Sequence, residues 1–119
     1  MLRVELSPNG HFNTTEYGTV RDPDQFRALY GYSPYFRVRY GEAYPAMLFT
    51  TGANDPRVDP MQSRKMVARL QAASAKSLIL LRTSSDSGHG IGSALSGVIG
   101  ELTDTFAFLF EQLGPNGPQ

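Results

Sequence analysis

The sequence predicts an α/β fold with parallel strands in the order β-α-β-α, and three observations predict it. Two short apolar runs, 46–51 and 77–83, lack the polar alternation of a half-wet strand. Between them, Met66, Val67, Leu70 and Ala73 recur at helical spacing, with Arg64, Lys65 and Arg69 on the expected wet side. After the second run, Leu95, Val98, Ile99, Leu102, Phe106, Leu109, Phe110 and Leu113 form an unbroken 3- and 4-spaced series over 94–113. A strand, a crossover helix and a second strand make a βαβ unit, which wants helices on both faces of its sheet.

The remaining elements follow from local chemistry. Residues 1–21 hold Ser7, Pro8, Asn9, Gly10 and Gly18 with few apolar anchors, and predict an irregular loop. Asp22 and Pro23 open a helix: the carboxylate suits the N-cap, proline suits the first turn, and Gln25 stands where a capping box places its amide. Phe26, Leu29 and Tyr30 fall on one face of that helix and are expected to meet the core, and Gly31 to Pro34 ends it. Segment 35–43 is expected to be an extended connector. Asp59, Pro60 and Gln62 repeat the helix-start chemistry before the crossover helix. Gly114 and Pro115 stop the last helix, which divides the chain into a body, 1–113, and a tail, 114–119, expected to be disordered.

Composition narrows the functional classes. Eleven basic and eleven acidic residues give a formal net charge of zero in 119 residues, so nucleic acid is not expected as a partner. No membrane partner is expected either, because no apolar run approaches the ~20 residues of a spanning helix. The sequence has no cysteine and two histidines with no metal-ligand spacing, so neither a metal nor another cofactor is expected. The composition suits a bacterial cytoplasm or periplasm alike. Two parallel strands leave both edges and part of each face uncovered, which predicts a neighbour: another copy or a further, N-terminal part of the protein.

The chemistry gathers at the strand exits. Asp55 stands just past the first strand, with Pro56 restricting its backbone to extended conformations and Arg57 beside it. His89 lies between Gly88 and Gly90, with Gly92 close by, just past the second strand. Taken singly, the first is a polar turn and the second a surface histidine. Together, at the C-terminal ends of consecutive strands and in the order acid then histidine, they match two thirds of a hydrolytic triad. No G-x-S-x-G elbow occurs in the chain. Ser84, Ser85, Ser87 and Ser93 flank the histidine as loop and N-cap residues. Arg57 either holds a substrate carbonyl or carboxylate, or pairs with Asp55 or Asp59, and His11 and Tyr17 either line a pocket or pack a loop.

Several runs resemble the C-terminal segment of the prolyl oligopeptidase family of serine peptidases. They are Gly10-His11, Thr14-Thr15-Glu16-Tyr17-Gly18, Tyr32-Ser33-Pro34, Tyr44-Pro45-Ala46, Thr51-Gly52-Ala53-Asn54-Asp55-Pro56-Arg57-Val58 and Gly88-His89-Gly90, followed by a phenylalanine-rich last helix. The resemblance implies the C-terminal portion of an α/β-hydrolase fold, in a family where a β-propeller restricts access to peptides. It implies Asp55 as triad acid, His89 as triad base and Arg57 as a ligand for a substrate carbonyl. Val58 and Tyr17 fall at specificity-pocket positions. Asn13 stands where family members carry a tryptophan that stacks on proline, so post-proline specificity is not implied. The expected function is serine-type peptide hydrolysis in the intact protein, with this chain inactive alone. The alternatives are a self-associating, non-catalytic module and, third, a small esterase.

Overall fold

A computed structural model describes residues 2–85, 87–90 and 94–114 of the chain. The expectations placed on Gly92, Ser93 and the tail beyond Gly114 lie outside the described residues. The elements are α1 (Thr14–Tyr17), α2 (Pro23–Tyr32), α3 (Pro34–Arg37), β1 (Met47–Gly52), α4 (Met61–Ala73), β2 (Ile79–Ser84) and α5 (Leu95–Leu113). Two 3-10 turns, Val4–Leu6 and Gly10–Asn13, precede α1.

The strands pair in parallel and in register, from Met47 opposite Ile79 to Gly52 opposite Ser84. Alternation along each strand sends Met47, Phe49, Ile79 and Leu81 to one face. There they pack with Val38 and with Val67, Leu70 and Ala73 of α4. Leu70, 1% exposed, is the centre of that core. The opposite face is open: Leu80 is 39% exposed, where strands covered on both sides were expected. Arg82 on that face reaches α5, donating from Nε to Asp104 at 2.7 Å with Glu101 3.6 Å away. No residue of α5 is buried.

The N-terminal segment is not the irregular loop its composition predicts. The Glu5 carboxylate accepts Val20 N–H at 2.6 Å and the Thr19 hydroxyl at 3.1 Å, closing a 15-residue span of short helical turns. Gly10 allows this closure, since a Cβ there would sit 1.6 Å from the Val4 carbonyl oxygen. In α2, Asp22 caps as expected, its Oδ1 accepting Asp24 and Gln25 N–H at 2.9 Å each. Gln25 departs from the capping box: its side-chain oxygen accepts Thr19 N–H at 2.7 Å instead.

Only Leu29 of the expected α2 core face is buried. Phe26 and Tyr30 remain about 40% exposed and stack on each other, with Phe36 against Tyr30 at 4.9 Å. That aromatic cluster and Pro34 at the first helical position turn the expected connector into α3. Arg69, placed on the wet side of α4 by the sequence, lies instead over the Tyr35 ring, 4.6 Å from its centroid. Among the described residues, no helix is long and apolar enough to cross a membrane.

The chain is extended for its mass. Its accessible surface is 8402 Å² at 13.1 kDa, against about 6,400 Å² for a compact protein of that mass. Its radius of gyration is 16.7 Å, against roughly 13–14 Å for a compact chain of this length. The exposed apolar face of α5 and the open side of the sheet contribute to the excess.

Candidate active site

Both strands end at the same rim, and their ladder continues past the last paired residues. Ala53 N–H donates to the Ser84 carbonyl at 2.8 Å, and Asn54 N–H to the Ser87 carbonyl at 3.3 Å. Gly52 makes this approach possible. A Cβ on it would stand 2.3 Å from the Gly88 oxygen and 2.5 Å from the Ser87 oxygen, well inside contact distance. The loop after β2 therefore folds directly over the exit of β1.

The acid loop is built around its own carboxylate. Asp55 Oδ1 accepts Arg57 N–H and Val58 N–H at 2.8 Å each, an Asx-type turn that Pro56 helps to hold open. Oδ2 is left facing the second loop, where it meets His89 Nδ1 at 2.8 Å. Partial burial pushes the Asp55 carboxyl up. The Val58 N–H, the His89 hydrogen bond, the Arg57 N–H and the imidazole charge together outweigh it, so the group sits below the usual carboxylate range.

An ionised carboxylate can only accept, so the proton shared by this pair belongs on His89 Nδ1. That leaves Nε2 as the basic nitrogen. Among the described residues no hydrogen bond occupies Nε2, and the His89 side chain is 37% exposed while Asp55 is 10% exposed. The arrangement is a largely buried carboxylate orienting a partly exposed imidazole.

The other predicted residues divide. Arg57 and Val58 are exposed beside the pair, and their backbones rather than their side chains hold the carboxylate. Among the described residues the Arg57 guanidinium pairs with neither Asp55 nor Asp59. Asp59 instead accepts Met61 N–H at 2.8 Å from one position before Pro60, the N-cap of α4. Tyr17 stands on α1, half exposed, beside a small hollow it shares with Val4, Gly10 and Leu29, and among the described residues no hydrogen bond joins it to the pair. His11 is exposed in the preceding turn. The N-terminal layer does reach the acid loop, through Asn9 Nδ2 donating to the Pro56 carbonyl at 2.7 Å.

Sequence reasoning missed Gly52, Asn54 and Asn9 as residues that hold the two loops. A glycine at the last position of a buried strand is the one signal that could have flagged the close approach. No three His, Cys, Asp or Glu residues come together as a metal site among the described residues.

Comparison with known proteins bears on the whole chain. The profile of the prolyl oligopeptidase family matches residues 1–116. The prolyl endopeptidase of Dictyostelium discoideum is 37% identical over 117 residues, covering 95% of this chain and 15% of that protein. The prolyl endopeptidase of Elizabethkingia meningoseptica is 35% identical over 116 residues, covering 96% and 16%. Among solved structures, prolyl oligopeptidase B from Galerina marginata, bound to a hydrolysis and macrocyclization substrate, superposes with a TM-score of 0.88 at 29% identity. The match covers 96% of this chain and 16% of that one. The chain thus spans about one sixth of the length of these relatives. Its parallel α/β core and its near end-to-end match in sequence and structure make it a member of the prolyl oligopeptidase family.

Proposed function

We propose that this chain supplies the acid and the base of a serine-type peptidase centre whose nucleophile comes from another part of the protein. One observation carries the reading: the 2.8 Å hydrogen bond from His89 Nδ1 to a carboxylate held ionised, with Nε2 accessible. In the reaction, Nε2 of His89 takes the proton of an attacking serine hydroxyl and returns it to the leaving amine. Asp55 fixes the tautomer that makes Nε2 the base, and its charge stabilises the imidazolium formed in between. Water hydrolyses the acyl intermediate through the same base.

Peptide is the substrate class, by analogy with the peptidases the chain resembles. The Arg57 guanidinium, without an ion pair among the described residues and next to Asp55, is assigned to a substrate carbonyl. Val58, on the same turn, is assigned to the side-chain pocket. Tyr17 joins that pocket only through the N-terminal layer that Asn9 ties to Pro56. Residues 1–113 act as the C-terminal segment of the catalytic domain.

The chain holds no G-x-S-x-G elbow, so a fluorophosphonate probe is expected to leave it unlabelled; stoichiometric labelling of the isolated chain would contradict this reading. In a protein carrying the nucleophile, Asp55→Asn is expected to lower kcat by about 10⁴-fold, because the amide stabilises the wrong tautomer.

A second reading, that the chain also associates through an uncovered face, has its own support. Leu95, Ile99, Leu102, Phe106, Leu109 and Leu113 alternate four and three apart along α5, the spacing of a helix seam, and all are exposed. The surface in excess of a compact protein is more than the roughly 800 Å² that each partner buries in a standard protein interface. Either the rest of the catalytic domain or a second copy would cover it.

A further inference from the structure

Between the ladder and the acid–base pair lies one side-chain contact that neither strand pairing nor the pair itself requires. Asn54 Nδ2 donates to the Ser85 carbonyl at 2.7 Å, while its own backbone N–H donates to the Ser87 carbonyl. One residue thus grips the histidine loop at two carbonyls, immediately before the residue whose carboxylate must reach His89. The orientation of the amide is dictated by its partner. A carbonyl only accepts, so the NH₂ faces Ser85.

We propose that Asn54 is a positioning residue, a latch that sets the separation of the two loops and thereby the Asp55–His89 hydrogen bond. The inference rests on the reading of that pair as the acid and base of the site. Its physical basis is geometric. The pair spans 34 residues of sequence, and its two side chains sit on separate loops past the last ladder bond. Gly52 lets the loops touch but has no side chain to hold them there. Asn9 holds the acid loop at Pro56 and, among the described residues, makes no bond to the histidine loop. Asn54 alone of these three bridges the gap with a side chain.

The test reads the hydrogen bond and its consequence separately, by NMR on the full chain. In the unmodified protein, a through-hydrogen-bond scalar coupling between Asn54 Nδ2 and the Ser85 carbonyl carbon is expected; its absence overturns the proposal without any variant being made. In Asn54→Ala, solvent exchange of the His89 Nδ1 proton is expected to accelerate about two- to tenfold, the range one hydrogen bond's net contribution allows. Backbone amide protection in β1 and β2 should stay unchanged, and Asn9→Ala should leave the Nδ1 exchange rate as it was. Acceleration in Asn9→Ala equal to that in Asn54→Ala would reduce the effect to general loosening and overturn the latch. Asp55→Asn separates the two claims. If it accelerates exchange and Asn54→Ala does not, the latch falls and the pair stands; if it has no effect, the pair falls and the latch with it.

Discussion

Asp55 accepts three hydrogen bonds, two from its own turn and one from a loop 34 residues away, and its carboxyl is held below the usual range. Depression of a folded-state value means the folded form binds its proton less readily than the unfolded form. The stabilisation is therefore complete above the unfolded value, near 3.8, and is lost as pH falls through the lower folded value. The chemical shift of Val58 N–H is expected to show an inflection below about pH 3.8, where the carboxylate it donates to takes up its proton. Gly52→Ala drives a Cβ into two carbonyl oxygens, and a cost of about 1–3 kcal/mol is expected in urea unfolding, the range of overpacked sites. Asp55 and His89 were legible because a proline-restricted acid and a glycine-flanked histidine mark the two strand exits. Gly52, Asn54 and Asn9 were not, because their roles exist only once the register has set which carbonyl lies opposite which residue.

The elements divide along the same line between local and distant causes. The strands, α4 and α5 were readable because apolar spacing dictates them, and α2 because Asp22 and Pro23 start it. Asp22→Ala removes an acceptor of two N–H groups and is expected to cost about 1 kcal/mol in the same unfolding assay. The N-terminal turns escaped notice because Glu5 closes them from 15 residues away, and α3 because aromatic contacts to Tyr30 hold it. The apolar stripe of α4 was correct, and Leu70 is its most buried residue. Leu70→Ala should cost about 2–5 kcal/mol, a large share of the roughly 5–15 kcal/mol that small proteins have.

At the scale of the whole molecule, the sequence's demand for a neighbour reappears as surface. The sheet is covered by α4 on one side, while α5 is tied to the other by the ion pairs of Arg82. With no net charge to keep copies apart, an uncovered seam about 28 Å long is expected to make the isolated chain associate as its concentration rises. Light scattering checks this, and Phe106→Glu, at a position 54% exposed, should suppress the association without unfolding the core. A monomer at high concentration with α5 intact would show that the face needs no partner. The fold class could be read from the sequence since periodicity encodes it. The loose attachment of α5 could not, because periodicity says which face is apolar and not what lies against it.

The most direct test of the account is the tautomer of His89 at neutral pH, read from the long-range proton–nitrogen spectrum of the imidazole with His11 as internal reference. The account predicts a proton on Nδ1 and a bare Nε2 in the native chain, with that preference lost in Asp55→Asn. A proton on Nε2 of the native protein, unchanged by the substitution, would contradict it.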